Sequence, residues 1–394
     1  MYNTLNHEKN FKLSIIIPCF NEERTLETCI ERVLKIADER LSLEIIIVND
    51  GSTDNSLSVA GRLEAEHEEV SVMHLDVNQG KGAALRAGFK KATGDFVAIQ
   101  DADLEYDPRD LKRLLGPLIV DEADVVMGSR FLSTDPRRVL YFWHSLGNRF
   151  LTFLSNMCTD LNLTDMETCY KVFRRDVIDA IEISENRFGI EPELVAKIAH
   201  MRLRIFEMGI SYRGRTYEEG KKIGARDGMR AIYCILRYNA HRAPWPVQFL
   251  LYSFIGGIAA IANLLIFLGL LTHGWSIPVA APVAFVIAAA LNYVLCVVLL
   301  FRHGARWSSP TEILLFALVV AATCIFDLGA TKFLFDVGAS AGAAKLVATG
   351  MGLALNFAGR RFVVFPEPTS GPWRPQEASD TIREGERPHK AVQG

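Results

Sequence analysis

The chain has 394 residues, with 43 Lys and Arg against 46 Asp and Glu, for a formal net charge of −3. The length allows two domains, and the charge balance excludes the strongly basic face of a nucleic-acid binder. The seven cysteines include no Cys-x-x-Cys pair, so neither a zinc site nor a disulfide framework is indicated.

Residues 1–11 are polar, lack the apolar core of a signal peptide, and read as a flexible N-terminus. Leu13-Ser14-Ile15-Ile16-Ile17-Pro18 is a β-rich run. Residues 22–39 follow with helical spacing of Leu26, Ile30, Val33, Leu34 and Ala37. Leu43–Val48 predicts a second strand. A helix at 55–67, a strand at 70–75, a helix at 82–92, a strand at 95–100 and a strand at Val125-Val126-Met127 come next. Strands that alternate with helices and are apolar on both faces predict an α/β domain with a mostly parallel sheet covered by helices. In such sheets ligands bind beyond the carboxyl ends of the strands.

Polar clusters sit at those ends. Asn21-Glu22-Glu23 follows the first strand, Asn49-Asp50-Gly51-Ser52 the second, and Gln100-Asp101-Ala102-Asp103-Leu104-Glu105 the fourth. Continued as extended backbone, the last cluster would put Asp101, Asp103 and Glu105 on one face. Three carboxylates so placed repel unless a cation neutralises them, and hard oxygen ligands suit Mg²⁺ or Mn²⁺. Each cluster also has a plain reading as turn or helix-cap chemistry. Together, at one sheet edge, they predict a nucleotide-sugar pocket, with Asp50 accepting from base or ribose and Lys81 neutralising a diphosphate. Asp165 and Glu167 precede a predicted strand, where they order an acceptor loop or cap a turn. Glu191-Pro192-Glu193 opens a helix, where carboxylates suit the dipole, and Glu193 is a candidate sugar contact.

Four apolar segments fill the second half, at 247–271, 279–301, 312–335 and 341–365, each near the length that spans a bilayer. Arg302, His303 and Arg306 follow the second and Arg360-Arg361 lie late in the fourth, whereas loops 272–278 and 336–340 carry no Lys or Arg. The positive-inside rule then predicts an integral, multi-pass membrane protein whose catalytic domain and both termini are cytoplasmic. Asn263, Asn292 and Asn356 suit interhelical hydrogen bonds, and Asp327 is the costly intramembrane acid. Residues 366–394 have the composition of a disordered tail.

The motifs Pro18-x-x-Asn21-Glu22, Asn49-Asp50-Gly51-Ser52-Thr53-Asp54, Asn78-x-Gly80-Lys81-Gly82, Asp101-Ala102-Asp103 and Gly128-Ser129-Arg130-Phe131 occur in an order and spacing that resemble family 2 glycosyltransferases of the GT-A fold. The likeness is to polyprenyl (dolichyl) phosphate mannose or glucose synthases and covers residues 12–240. Residues 247–365 resemble a GtrA-like four-helix membrane domain. There Leu291-Asn292-Tyr293 and Leu355-Asn356-Phe357-Ala358-Gly359-Arg360-Arg361-Phe362 look like an internal duplication.

The resemblance implies that Pro18, Asn21, Glu22, Asp50 and Ser52 line the nucleoside pocket. Asp101 lies near ribose and diphosphate, Asp103 and Glu105 ligate the metal, and Ser129 and Arg130 face the acceptor phosphate. Arg215 and Lys222, with Arg174, add to that cationic cradle. The implied reaction is an inverting, metal-dependent transfer of a hexose from GDP-mannose or UDP-glucose to dolichyl or undecaprenyl phosphate, and a homo-oligomer is compatible with it. A processive polysaccharide synthase would carry Gln-x-x-Arg-Trp, and Arg306-Trp307 lacks that glutamine. A lipid-linked sugar flippase with a degenerate transferase domain is the third reading.

Overall fold

The computed structural model describes residues 10–132, 138–139, 141–214, 225–301 and 309–364. Arg215, Lys222, Arg306 and Trp307 therefore lie outside the described residues. The chain divides into two compact units between Ile235 and Leu236.

The first unit runs β1 (Phe11–Cys19), α1 (Leu26–Leu34), β2 (Leu41–Asp50), α2 (Ser56–Glu66), β3 (Val70–Leu75), α3 (Lys81–Lys91) and β4 (Phe96–Ile99). It continues through α4 (Arg109–Leu114), α5 (Gly116–Ile119), β5 (Val125–Ser129), α6 (Phe142–Thr159), β6 (Lys171–Arg174), α7 (Arg175–Asp179), α8 (Ile190–Met201), β7 (Ile205–Gly209) and into α9 (Ala225–Asn239). The seven strands form one sheet in the order β3-β2-β1-β4-β6-β5-β7. β6 runs antiparallel to both its neighbours, and the other pairs are parallel.

The continuous apolar runs make the inner strands. Ile15, Ile16, Ile17, Ile45, Ile46 and Ile47 are all fully buried, which needs cover on both faces. Each such side chain contributes about 1.5–3 kcal/mol relative to exposure. α1 presents Leu26, Cys29, Ile30 and Val33, one stripe at helical spacing. It starts four residues later than its periodicity predicts. Asn21 takes a left-handed φ of 54°, and its Oδ1 accepts from the Thr53 N–H at 2.8 Å. The chain after β1 is thereby tied to the loop after β2 before any helix begins.

The second unit contains α10 (Trp245–Thr272), α11 (Ile277–Leu295), α12 (Ser309–Asp336) and α13 (Ala341–Gly359). α11 and α13 each run on into a π-helical turn, Cys296–Phe301 and Arg360–Val364. Among the described residues three stretches, Trp245–Thr272, Ile277–Leu300 and Ile313–Asp336, are long and apolar enough to cross a membrane, and the fourth expected segment, 341–365, is not among them. Their outward side chains agree: Ile325 and Leu328 are 74% and 73% exposed. Apolar residues all round a helix fit a lipid surrounding better than water. Asp327 accepts a hydrogen bond from Thr349 of α13 at 3.5 Å.

Candidate active site at the carboxyl edge of the sheet

The loops after β1 and β2 are stitched into one surface. The Asn21 N–H donates to Ser52 Oγ at 3.1 Å, and the Glu22 N–H to Ser56 Oγ at 2.8 Å. Pro18 and Asn49 are aligned neighbours of Val48 and Cys19 in the β1–β2 ladder, so the polar residues of both strands leave the sheet side by side. Asp50 is buried, and its two carboxylate oxygens accept from the N–H groups of Gln79 and Gly80 at 2.8 and 2.7 Å. Expected to meet a base or ribose, Asp50 holds the turn that launches α3. Gly80 has a φ of +102°, and a Cβ there would stand 2.5 Å from the Asn186 carbonyl. Glycine is required at that point.

That turn delivers Lys81, the first residue of α3, to the end of β4. Its Nζ lies 2.8 Å from Asp101 Oδ1 and 2.9 Å from Glu191 Oε1. Burial alone pulls the Lys81 ammonium down, but the Asp101 carboxylate, with Glu191, outweighs it and holds the pKa well above the usual range. Burial pushes the Asp101 carboxyl up, and Lys81 reverses this and keeps it below the usual carboxylate value. The group is thus one cation between two anions, at the edge where ligands of such sheets bind.

The acidic cluster does not continue the strand. β4 stops at Ile99, and the backbone bends through residues 102–105. The expected single face of Asp101, Asp103 and Glu105 is therefore not formed. Asp101 turns to Lys81, Asp103 Oδ1 accepts from the Glu105 N–H at 3.1 Å, and Glu105 Oε2 accepts from the Tyr212 hydroxyl at 2.8 Å. Among the described residues no three His, Cys, Asp or Glu side chains gather into a metal cage. Two carboxylates still fit Mg²⁺ or Mn²⁺, because Mg²⁺ is usually held by one or two carboxylates with substrate phosphates and water.

Ser129 ends β5, and Arg130 follows it. Ser129 Oγ lies 2.6 Å from Thr164 Oγ1. Arg130 is 8% exposed and closes a bidentate fork on Asp165, with Nε and Nη2 each at 2.7 Å from a carboxylate oxygen. Its guanidinium also lies 5.3 Å from the Tyr212 ring centre. In this geometry Arg130 is the strut of a wall rather than an open phosphate cradle. Asp165 takes a further bond from Asn148 of α6 at 3.2 Å, so its expected loop-ordering role has a defined partner set. Arg174 lies away from this edge, paired with Asp121 at 2.7 Å. A separate pocket lined by Phe11, Asp95, Leu118 and Arg174 opens at the opposite ends of the strands. Glu193, the candidate sugar contact, accepts from the Ser184 and Glu185 N–H groups at 2.7 and 2.8 Å and braces that segment.

Behind Lys81 lies a second buried layer. Lys171 is fully buried and donates to the carbonyls of Met166 and Thr168. Burial lowers its pKa. Glu167 Oε1 is shielded and has no hydrogen-bond partner, and burial, with the Glu191 charge behind it, pushes the Glu167 carboxyl from 4.5 up to about 8. A folded-state pKa above the unfolded one means that the stability this proton confers is complete below pH 4.5 and lost as pH rises through about 8. Thermal melting of wild type and Glu167→Gln across that window checks it. The wild type should lose stability relative to the variant as pH rises, and parallel curves would place the Glu167 carboxyl in water.

Two family models match the chain. Residues 14–182 match Glycosyl transferase family 2, and residues 251–365 match GtrA/DPMS, transmembrane domain. The chain joins a family 2 glycosyltransferase domain to a GtrA/DPMS transmembrane domain. It is a membrane protein with a GT-A-like, mostly parallel sheet. The transferase domain is 30% identical over 218 residues to an undecaprenyl-phosphate 4-deoxy-4-formamido-L-arabinose transferase of Proteus mirabilis, covering 54% of this chain and 64% of that one. It is 27% identical over 232 residues to a dolichol-phosphate mannosyltransferase of Pyrococcus furiosus, covering 58% and 64%. It is 29% identical over 215 residues to a dodecaprenyl-phosphate galacturonate synthase of Rhizobium johnstonii, covering 54% and 62%. The matched stretch is under two thirds of each of these relatives. A solved glucosyl-3-phosphoglycerate synthase of Mycobacterium tuberculosis aligns with a TM-score of 0.46 at 20% identity, over 58% of this chain and 80% of that one.

Local sequence does not reveal the partners of Lys81: Glu191 suits the helix dipole by its position, and Lys171 belongs to no motif. The signal available was compositional: Lys171 lies directly before the apolar pair Val172-Phe173, and a lysine at the start of a buried strand must itself be satisfied.

Proposed function

We propose that the protein transfers a hexose, with inversion, from a nucleotide sugar to a polyprenyl monophosphate at the cytoplasmic side of the membrane. The observation that carries this reading is Lys81 held between Asp101 and Glu191 at the carboxyl edge of the sheet, in a chain that also has a transmembrane domain. The names of three relatives support the acceptor class, since each is a polyprenyl-phosphate sugar transferase or synthase.

The chemistry follows from charge. The leaving group is a nucleoside diphosphate, and Lys81 stands where its developing charge would be met. Asp101 and Glu191 hold that ammonium in place before the donor arrives. Asp103 and Glu105 on the bend, with Asp101 just before it, would hold Mg²⁺ or Mn²⁺, which supplies Lewis-acid neutralisation of the diphosphate when bound. The acceptor phosphate is already an anion, so attack on the anomeric carbon needs positioning and no general base. Arg215 and Lys222 are assigned to that positioning. Asn21, Glu22, Asp50 and Ser52 shape the nucleoside side, with GDP-mannose and UDP-glucose as the candidate donors.

The test is a panel of radiolabelled nucleotide sugars offered to the purified protein with undecaprenyl or dolichyl phosphate. One donor should give a lipid-linked monophosphosugar of inverted anomeric configuration. A chelator should stop the reaction, and Mg²⁺ or Mn²⁺ should restore it. Full activity under chelation would remove the metal, and no lipid product from any donor would overturn the reading.

A further inference from the structure

The helical unit contains a buried cation that sugar transfer does not use. Arg360, at the end of α13, is 4% exposed. Its Nε donates to Asn356 Oδ1 at 3.2 Å, and its Nη1 donates to Asn292 Oδ1 and lies 3.5 Å from Cys296 Sγ. The guanidinium is walled by Phe316, 4.3 Å from its ring centre, and by Tyr252 at 5.3 Å. Every one of these groups is uncharged. Among the described residues no carboxylate pairs with Arg360, and its Nη2 has no hydrogen-bond partner.

An unbalanced charge in an apolar helical unit is expensive. Tying helices together does not require it, since a neutral amide would serve. Arginine differs in offering a flat fork that matches phosphate oxygens. The position is marked a second way. Asn292 and Asn356 occupy matching places in α11 and α13, and each is followed four residues later by a π-helical turn, beginning at Cys296 and at Arg360. Such turns are frequent at functional sites. The two repeats converge, both asparagines accepting from one guanidinium whose Nη2 is left without a hydrogen-bond partner.

We propose that Arg360, held by Asn292 and Asn356 and walled by Tyr252 and Phe316, is a binding site for the phosphate of an anionic membrane lipid within the helical unit. Two sources share this chemistry: the monoester of a polyprenyl phosphate and the diester headgroup of an anionic phospholipid. Only the use of a polyprenyl probe rests on the proposed transfer reaction.

The experiment uses the full chain in phosphatidylcholine nanodiscs. Lipid retention by native mass spectrometry and the lipid-dependent rise in melting temperature are read after adding undecaprenyl monophosphate or phosphatidylglycerol. Arg360→Gln should bind the preferred lipid about tenfold more weakly. Arg360→Lys should fall between, because it keeps the charge and loses the fork. Calorimetric binding of UDP and GDP should match wild type in both variants, which shows that the transferase domain is intact. Should Arg360→Gln fail to fold, Arg360→Lys and Asn292→Ala carry the comparison. Weakening confined to undecaprenyl monophosphate assigns the monoester, and weakening of both lipids assigns the anionic headgroup in general. Equal binding of both lipids by wild type and the folded variants, or no binding by wild type, would overturn the proposal. A wild type that binds lipid and transfers no sugar would sink the transfer reading and leave this site standing.

Discussion

Lys81→Met is expected to lower kcat/KM for the nucleotide sugar by about 10²–10³-fold, the size typical of removing one preorganised charge-stabilising group. The structural reason is that Lys81 serves two ends. In the proposed reaction it meets the diphosphate, and in the structure it separates Asp101 from Glu191, to which it is bonded at 2.8 and 2.9 Å. Without the ammonium two buried carboxylates face each other, and the Asp101 pKa should rise from its lowered value toward the range that burial dictates. The folded state should lose on the order of 3–5 kcal/mol, the usual cost of breaking a buried ion pair from one side. Adding Glu191→Gln to Lys81→Met should recover part of that stability and none of the turnover. Transfer kinetics and thermal melting on the same preparations make the comparison. A Lys81→Met enzyme with wild-type turnover would take Lys81 out of the chemistry.

Asp165→Ala is the second large effect. Arg130 is buried and its fork is filled by Asp165, so the variant strands a guanidinium in the wall of the site. The expected loss is again about 3–5 kcal/mol. In a unit of this size that lowers the melting temperature by on the order of 10 °C. Arg130→Met combined with Asp165→Leu should melt well above the single variant, since replacing a buried pair by apolar groups is often neutral. If Asp165→Ala melts like wild type, the fork is not a structural element and Arg130 is available to an acceptor phosphate.

The fold was legible where strands are continuous apolar runs. Ile15–Ile17 and Ile45–Ile47 are buried on both faces, so burial demands the same residue type at every position. The polar clusters were legible as an edge, because a parallel sheet brings its carboxyl ends together whatever the detail. Their inner geometry was not. An extended continuation past Ile99 would have aligned Asp101, Asp103 and Glu105, but Lys81 draws one carboxylate away and the Tyr212 hydroxyl another. Those partners are far off in sequence, and local spacing carries no record of them. Arg130 and Asp165 fit the same description: the sequence shows a cation and an acid 35 residues apart, and only the fold makes them a pair.

The antiparallel insertion of β6 has a consequence for how the protein is made. β3, β2, β1 and β4 can assemble as soon as residue 99 has left the ribosome, because β1 pairs with β2 and β4, and β2 with β3. β4 then presents a naked row of hydrogen-bonding groups until Lys171–Arg174 arrives, since β5 pairs with β6 and β7 and not with β4. Throughout the synthesis of β5 and α6 the nascent chain carries an open apolar edge, the feature most prone to pair with another chain. Translation should therefore be most vulnerable to aggregation, and most dependent on chaperone cover, after β4 emerges and before β6 does. A truncation ending between residues 100 and 170 should be insoluble, whereas one reaching past Gly209 has every strand of its sheet.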